Sequence, residues 1–263
     1  MKKSVSVGTW NIGGGFKFDK KIQDGFSYET EDLDYFISHI PESKIDILSI
    51  QEAHSATKPN TDKEHQIKTI GEALNFNFTN SYPYGPSHIK AGNLLSLGNV
   101  TRFSIIDSEF YKLPNPNLTI ERENGDIWKS FDVGFLVSKI DFLGTEINLI
   151  NGHMVPFHYF EKDFMDPEFD HIRDAITEIL IETSDLPTII ATDFNYPDIQ
   201  TLLPKVFQNN LFYSSFNNQE TAIGKGQQDH ILFSNHWSLI DYKINSNTRS
   251  DHFMCISEIQ LRN

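Results

Sequence analysis

The chain has 263 residues, 38% hydrophobic and 13% aromatic, which suffices for the core of one large domain and does not require two. A formal net charge of -14 opposes tight binding of a long polyphosphate unless basic residues cluster or a metal ion intervenes. The lone cysteine, Cys255, rules out an internal disulfide, and no apolar run is long enough to span a bilayer.

Met1-Lys2-Lys3 leads into an alternating segment rather than an apolar leader, so the expected location is the cytoplasm, with leaderless secretion left open. Ser4 to Trp10 alternates, Val5, Val7 and Thr9 facing one way, and is a predicted strand ending at Asn11. Gly13 to Gly15 mark a sharp loop. Phe16, Phe18, Phe26 and Tyr28 follow in an aromatic loop, and Thr30 to Ile40 is a predicted helix. Lys44 to Gln51 is a buried strand terminating in Gln51-Glu52. Thr61 to Leu74 is the next helix, with Ile67, Ile70 and Leu74 on one stripe. Asn75 to Tyr84, Gly92 to Leu97 and Arg102 to Phe110 are predicted strands, and the Pro- and Asn-rich Leu113 to Gly125 a loop.

Trp128 to Ile140 and Thr145 to Ile150 form a strand pair turned at Leu143-Gly144, the second ending in Asn151-Gly152-His153. An aromatic loop (Phe157 to Phe164) precedes a helix with Asp166 as its cap and Pro167 at its first position. The β-branched run from Thr188 ends in Asp193-Phe194-Asn195. The chain is then irregular to about Gly226, and Gln228-Asp229-His230 enters a strand at Ile231 to Phe233. Trp237 to Ile244 is another strand, and Arg249-Ser250-Asp251-His252 enters the last, Phe253 to Leu261. Strands outnumber the interspersed helices, which predicts an α/β (α+β) chain: one domain over residues 1–263, with a mixed two-sheet core and helices outside.

Six of these strand ends carry polar groups. Asn11, Glu52, His153 and Asp193 with Asn195 follow strands; Asp229 and Asp251 with His252 precede them. If the last two strands run antiparallel to the first four, all six ends meet on one rim, where folds of this kind build active sites. Residues two apart share a strand face, so Asp193 and Asn195 leave together. Glu52, Asp251 and the Asn11 amide are hard oxygen ligands that favour Mg²⁺, Mn²⁺ or Ca²⁺ over zinc. Asp193 suits the orientation or deprotonation of a water held by Asn195. His252 and His153 suit hydrogen bonding to phosphoryl oxygens or protonation of a leaving group, with Asp229 fixing one imidazole tautomer. Taken singly, each is an ordinary turn or surface polar; six in this order match the needs of phosphoester hydrolysis.

Thr9-Trp10-Asn11, Ile50-Gln51-Glu52, Gly92-Asn93-Leu94-Leu95-Ser96, Asn151-Gly152-His153, Asp193-Phe194-Asn195, Asp229-His230-Ile231 and Ser250-Asp251-His252 together resemble the endonuclease/exonuclease/phosphatase superfamily. That superfamily includes deoxyribonucleases, abasic-site endonucleases, neutral sphingomyelinases and inositol polyphosphate 5-phosphatases. The resemblance implies a four-layer α/β/β/α sandwich and a phosphoester hydrolase dependent on Mg²⁺, with Mn²⁺ or Ca²⁺ as substitutes. It places Glu52, Asn11 and Asp251 around the metal, Asp193 and Asn195 at the water, and His252, oriented by Asp229, with His153 at the phosphoryl group. Asn93 and Phe157 are the expected substrate contacts. Thr192 departs from the glycine usual before the aspartate, and the basic residue many nucleases place in the middle strands is not obvious, with Arg122 and Lys129 as candidates. The expected substrate is a phosphoester, with nucleic acid possible but a long duplex disfavoured by the charge. The alternatives are a phosphatase, a sphingomyelinase-like phosphodiesterase, an inactive binding module of the same fold, and a secreted effector.

Overall fold

The computed structural model describes residues 3–18, 28–41, 44–56, 65–122 and 125–262. Its strands in chain order begin with β1 (Ser4–Asn11), β2 (Phe16–Phe18), β3 (Tyr28–Glu31), β4 (Ile47–Ala56), β5 (Phe78–Pro86) and β6 (Asn93–Thr101). There follow β7 (Ser104–Lys112), β8 (Thr119–Glu121), β9 (Ile127–Lys129), β10 (Gly134–Phe142) and β11 (Thr145–His153). The last are β12 (Thr188–Asp193), β13 (Phe212–Ser214), β14 (Asp229–Ser234), β15 (Trp237–Asn245) and β16 (Met254–Leu261). The helices are α1 (Leu33–His39), α2 (Gln66–Ala73), α3 (Asp170–Glu182), α4 (Ile199–Leu202) and α5 (Pro204–Phe207).

The first large sheet has the order β15-β16-β1-β4-β6-β5 and the second β13-β14-β12-β11-β10-β7. Alternation sorts the apolar residues into three layers of core. Val5 and Val7 of β1 pack against Ile189 and Ala191 of β12 between the sheets. Trp10 and Leu48 point outward to Phe36 of α1 and Ile67 and Ile70 of α2. Ile190 and Ile150 point outward on the second sheet to Ile172, Ile176 and Leu180 of α3. The result is the four-layer α/β/β/α sandwich, with the sheets buried against each other.

Strand direction brings the polar ends together. β1 runs parallel to β4 and antiparallel to β16, while β12 runs parallel to β11 and antiparallel to β14. Just below the shared rim, a buried polar clamp joins the sheets: Gln51 Nε2 donates to Asn151 Oδ1 at 2.8 Å, and Asn151 Nδ2 donates to the carbonyls of Ile50 and Gly98 at 3.1 and 2.8 Å. Buried amides satisfied this fully fix one docking of the sheets, because any slip would leave them without partners.

Several elements differ from the sequence expectation. The first helix begins at Leu33 rather than Thr30, because Asp32 caps it by accepting from the Tyr35 N–H, while Tyr28–Glu31 pairs with Phe16–Phe18 as a strand. Phe26 and the start of the Thr61 to Leu74 helix, through Glu64, lie outside the described residues. β4 does not stop at Glu52 but bulges there and continues to Ala56. The expected loop from Leu113 contains β8, which pairs with β9. The expected irregular stretch after Asn195 contains α4, α5 and β13. Among the described residues no helix is long and apolar enough to cross a membrane.

Thr192 fits without disturbing the turn. It stands opposite Gly152 and His230 in unbroken register. A Cβ on Gly152 would lie 3.1 Å from Thr192 Cγ2 and 2.6 Å from the Phe135 ring, so the cross-strand glycine supplies the room. The Thr192 hydroxyl is buried with no hydrogen-bond partner among the described residues. An orphaned buried hydroxyl costs stability. Thr192→Val is therefore expected to stabilise the fold by ~1 kcal/mol, read as a higher denaturation midpoint at unchanged slope. A lower midpoint would show that the hydroxyl is satisfied.

Candidate active site

Asp193, at the end of β12, faces the first sheet and is fully buried. Its Oδ2 accepts from Asn11 Nδ2 across the sheets at 3.1 Å, and its Oδ1 accepts from the Asn195 N–H at 2.9 Å. Asn195 takes a left-handed backbone (φ 51°), which turns the chain back, and its Nδ2 donates to the Met154 carbonyl at 2.9 Å. This leaves the amide oxygen of Asn195 for the cavity, which Asn195 and Asp193 both line.

Glu52 is delivered by strain. Ile50 pairs with Gly98 and Ala53 with Ser96, so Gln51 and Glu52 together oppose Leu97 alone. Glu52 sits at φ 55°. A left-handed conformation at a non-glycine residue costs on the order of 1–3 kcal/mol and persists where the surroundings over-determine it. The bulge re-aims the side chain, placing its carboxylate 3.6 Å from His153 Nε2 and 3.8 Å from His88 Nε2.

The two histidines hold opposite charge states. His153 Nδ1 lies 2.7 Å from the Tyr84 hydroxyl. Its Nε2 lies 3.7 Å from Asp193 Oδ2. Burial lowers its pKa to about 4 against the opposing pull of Glu52, so the ring is neutral. Burial also holds the Tyr84 phenol well above its ordinary range, so Tyr84 keeps its proton. Tyr84 then donates to Nδ1 and the His153 Nε2–H faces the acids.

His252 Nδ1 donates to Asp229 Oδ2 at 2.9 Å and lies 3.7 Å from Asp193 Oδ2. Burial pulls its pKa down, but Asp229, Asp193 and Asp251 outweigh it and raise the ring to about 10. The same burial raises Asp193 to about 7, with Asp229 adding and His252 opposing. A carboxylate whose pKa burial raises to about 7, against the pull of a neighbouring imidazolium, has the proton affinity of a general base. Two contacts place the Asp251–His252 turn: Trp10 Nε1 donates to the His252 carbonyl at 3.2 Å, and Ser250 Oγ donates to the Asn11 carbonyl at 2.7 Å.

His230, next to Asp229, points away from the cavity. Its Nε2–H donates to the Tyr196 carbonyl at 2.9 Å and its Nδ1 accepts from Gln227 Nε2 at 2.9 Å. A second proton would meet the Gln227 amide, and burial already lowers the pKa to about 4. The unfolded chain binds this proton below its ordinary value of 6.5, the folded chain only near 4. Stability present above pH 6.5 is thus lost as the pH falls toward 4, by on the order of 3 kcal/mol from this residue. Denaturant unfolding across that range should show the loss, with a shallower slope in His230→Gln; equal slopes would exclude His230 as a source.

Asn11, Glu52, His153, Asp193, Asn195, Asp251 and His252 line one cavity of about 340 Å³, with Asp229 behind His252. Two expected residues are not brought there. Phe157 is buried in the outer core, its ring stacked on Phe164 at 4.2 Å, and does not line the cavity. Asn93 starts β6 opposite Ala56 and does not line the cavity. Of the two basic candidates, Lys129 lines the cavity, while the Arg122 guanidinium lies over the Trp128 ring at 4.4 Å. Tyr84, His88 and Lys225 were missed. Tyr84 ends the predicted strand Asn75 to Tyr84 and His88 lies just past β5, and the pairing of β5 with β6 places Tyr84 near the rim.

A family model described as the endonuclease/exonuclease/phosphatase family matches residues 8–252. No curated protein sequence matches the chain. Among solved structures, an endonuclease/exonuclease/phosphatase from Beutenbergia cavernae aligns with a TM-score of 0.73 at 13% identity, covering 98% of this chain and 72% of that one. The catalytic domain of human Nocturnin, with bound sulfate, aligns at 0.68 and 14%, covering 99% and 94%. A mannosyl-6-phosphatase of Bacteroides thetaiotaomicron aligns at 0.61 and 15%, covering 97% and 99%. At these identities the likeness is one of fold, and the family match adds the sequence from β1 to His252: the chain belongs to the endonuclease/exonuclease/phosphatase family.

Proposed function

We propose that the chain is a metal-dependent hydrolase of phosphoesters in which Asp193 activates the attacking water. The observation that carries this is the buried Asp193, bonded to Asn11 and Asn195 and set beside His252 and His153. Asn195 positions the water, and the cationic His252, supported by Asp229, meets the charge that develops on the phosphoryl oxygens. The His153 Nε2–H supplies a further donor.

The donor set fits a hard divalent cation. Glu52, Asp251 and the Asn11 side chain offer oxygen atoms and all line the cavity. Mg²⁺ held there would polarise a phosphoryl oxygen and offset its charge. Asp193, Asp229 and His252 also bring one ligand atom each within 4.8 Å of one another, a closeness that the His252–Asp229 hydrogen bond accounts for. An inactive copy of the fold is disfavoured because Glu52, Asp193, Asp251 and His252 all line the cavity.

The mannosyl-6-phosphatase likeness and the bounded cavity favour a phosphatase or small-molecule diesterase as the second reading beside a nuclease-like enzyme. A panel of plasmid, single-stranded nucleic acid, sphingomyelin, inositol phosphates and simple mono- and diesters tests both readings. Hydrolysis with Mg²⁺ should vanish with chelator and in His252→Ala, at a retained unfolding transition. Turnover unaffected by chelator would overturn the proposal.

A further inference from the structure

The wall of the cavity beyond the acids is aromatic. Tyr28 comes from β3, Trp128 from β9, Phe131 from the segment after it, and Tyr159 and Phe160 from the single turn at Phe157–Phe160. Three chain segments that share no secondary structure thus place rings on one surface, and the chemistry above uses none of them. Three of the rings are held by their neighbours. Trp128 meets Tyr159 edge-on at 6.4 Å. Arg122 covers Trp128 at 4.4 Å, and the Lys225 ammonium lies over the Tyr159 ring at 4.6 Å. Phe131 packs 5.9 Å from Tyr84 and closely over Gly85, where a Cβ would lie 2.6 Å from its ring.

Size and charge narrow the occupant. A cavity of about 340 Å³ is at the small end of small-molecule sites, on the order of 300–1,000 Å³. A chain of net charge -14 offers no general attraction to an extended polyanion, whereas Lys129 and Lys225 add positive charge inside the cavity itself. Fixed aromatic faces bind planar, polarisable rings.

We propose that this wall is a subsite for a planar ring, and that the substrate class is a compact phosphoester carrying one aromatic or nucleobase ring rather than an extended polynucleotide. The substrate class rests on the phosphoesterase reading of the neighbouring acids; the ring subsite is measured separately. The experiment compares adenosine 5′-monophosphate with ribose 5-phosphate, in which a hydroxyl at C1 replaces the base, by calorimetry on Asp193→Asn protein in Mg²⁺. The mononucleotide should bind at least about 5-fold tighter. Trp128→Ala should erase the difference, and Trp128→Phe should keep most of it. Equal affinities for the two ligands would overturn the subsite, as would a difference that survives Trp128→Ala. Affinity that rises with each nucleotide of a short oligoadenylate would overturn the compact substrate. If the ring preference holds but wild-type protein hydrolyses no phosphoester, the chemistry falls and the subsite stands. If hydrolysis holds without ring preference, the reverse is true.

Discussion

Asp193→Asn should lower kcat by about 10²–10⁴-fold in Mg²⁺ with little net change in stability. The side chain keeps its volume but loses its charge. In the native protein that charge is disfavoured by burial and by Asp229, which together raise the pKa to about 7. Removing it relieves a native-state cost. The substitution also puts an NH₂ group where Oδ1 and Oδ2 accept from Asn195 and Asn11, so one of those donors loses its acceptor. The two effects oppose each other in stability but not in activity. A fall in kcat with the unfolding transition held identifies a reacting group; turnover within a few fold of wild type would show that another group activates the water.

The second large effect belongs to a residue that does not touch the cavity. Asp229 is fully buried behind His252, and its backbone N–H donates to Thr221 Oγ1 at 2.9 Å. Asp229→Asn keeps the shape but removes the carboxylate that holds the proton on His252 Nδ1 and supports its positive charge. When the acid that orients a catalytic histidine becomes an amide, kcat falls by up to about 10⁴-fold. Here a loss on the order of 10³-fold in kcat is expected, with KM little changed, because the substrate contacts remain. An equal loss shared between kcat and KM, or one that tracks the unfolded fraction, would assign Asp229 a structural role only.

Much of this site was legible because strand ends are legible. Asp193, Asp251 and His252 lie at breaks in alternation, and the antiparallel placement of β14 and β16 brings those breaks to one rim. Glu52 was named but placed wrongly. Nothing in Ile50-Gln51-Glu52 signals a left-handed glutamate in mid-strand, since that conformation is imposed by the pairing with β6. Tyr84 and the β8–β9 hairpin were hidden for related reasons. The support Tyr84 gives His153 is a contact between different sheets, and a Pro- and Asn-rich segment shows no period-two pattern. The burial of Phe157 was not legible because a short aromatic loop carries no periodicity to say which rings face inward.

The order in which the groups occur along the chain has its own consequence. β16 pairs with β1, so Asp251 and His252 follow in sequence every other group of the cavity yet sit against Asn11 at its start. A chain leaving the ribosome holds Glu52, His153 and Asp193 long before it holds the imidazolium that works with them. In the proposed mechanism the site is therefore complete only once β16 has paired with β1, and a chain interrupted before Ser250 lacks both Asp251 and His252.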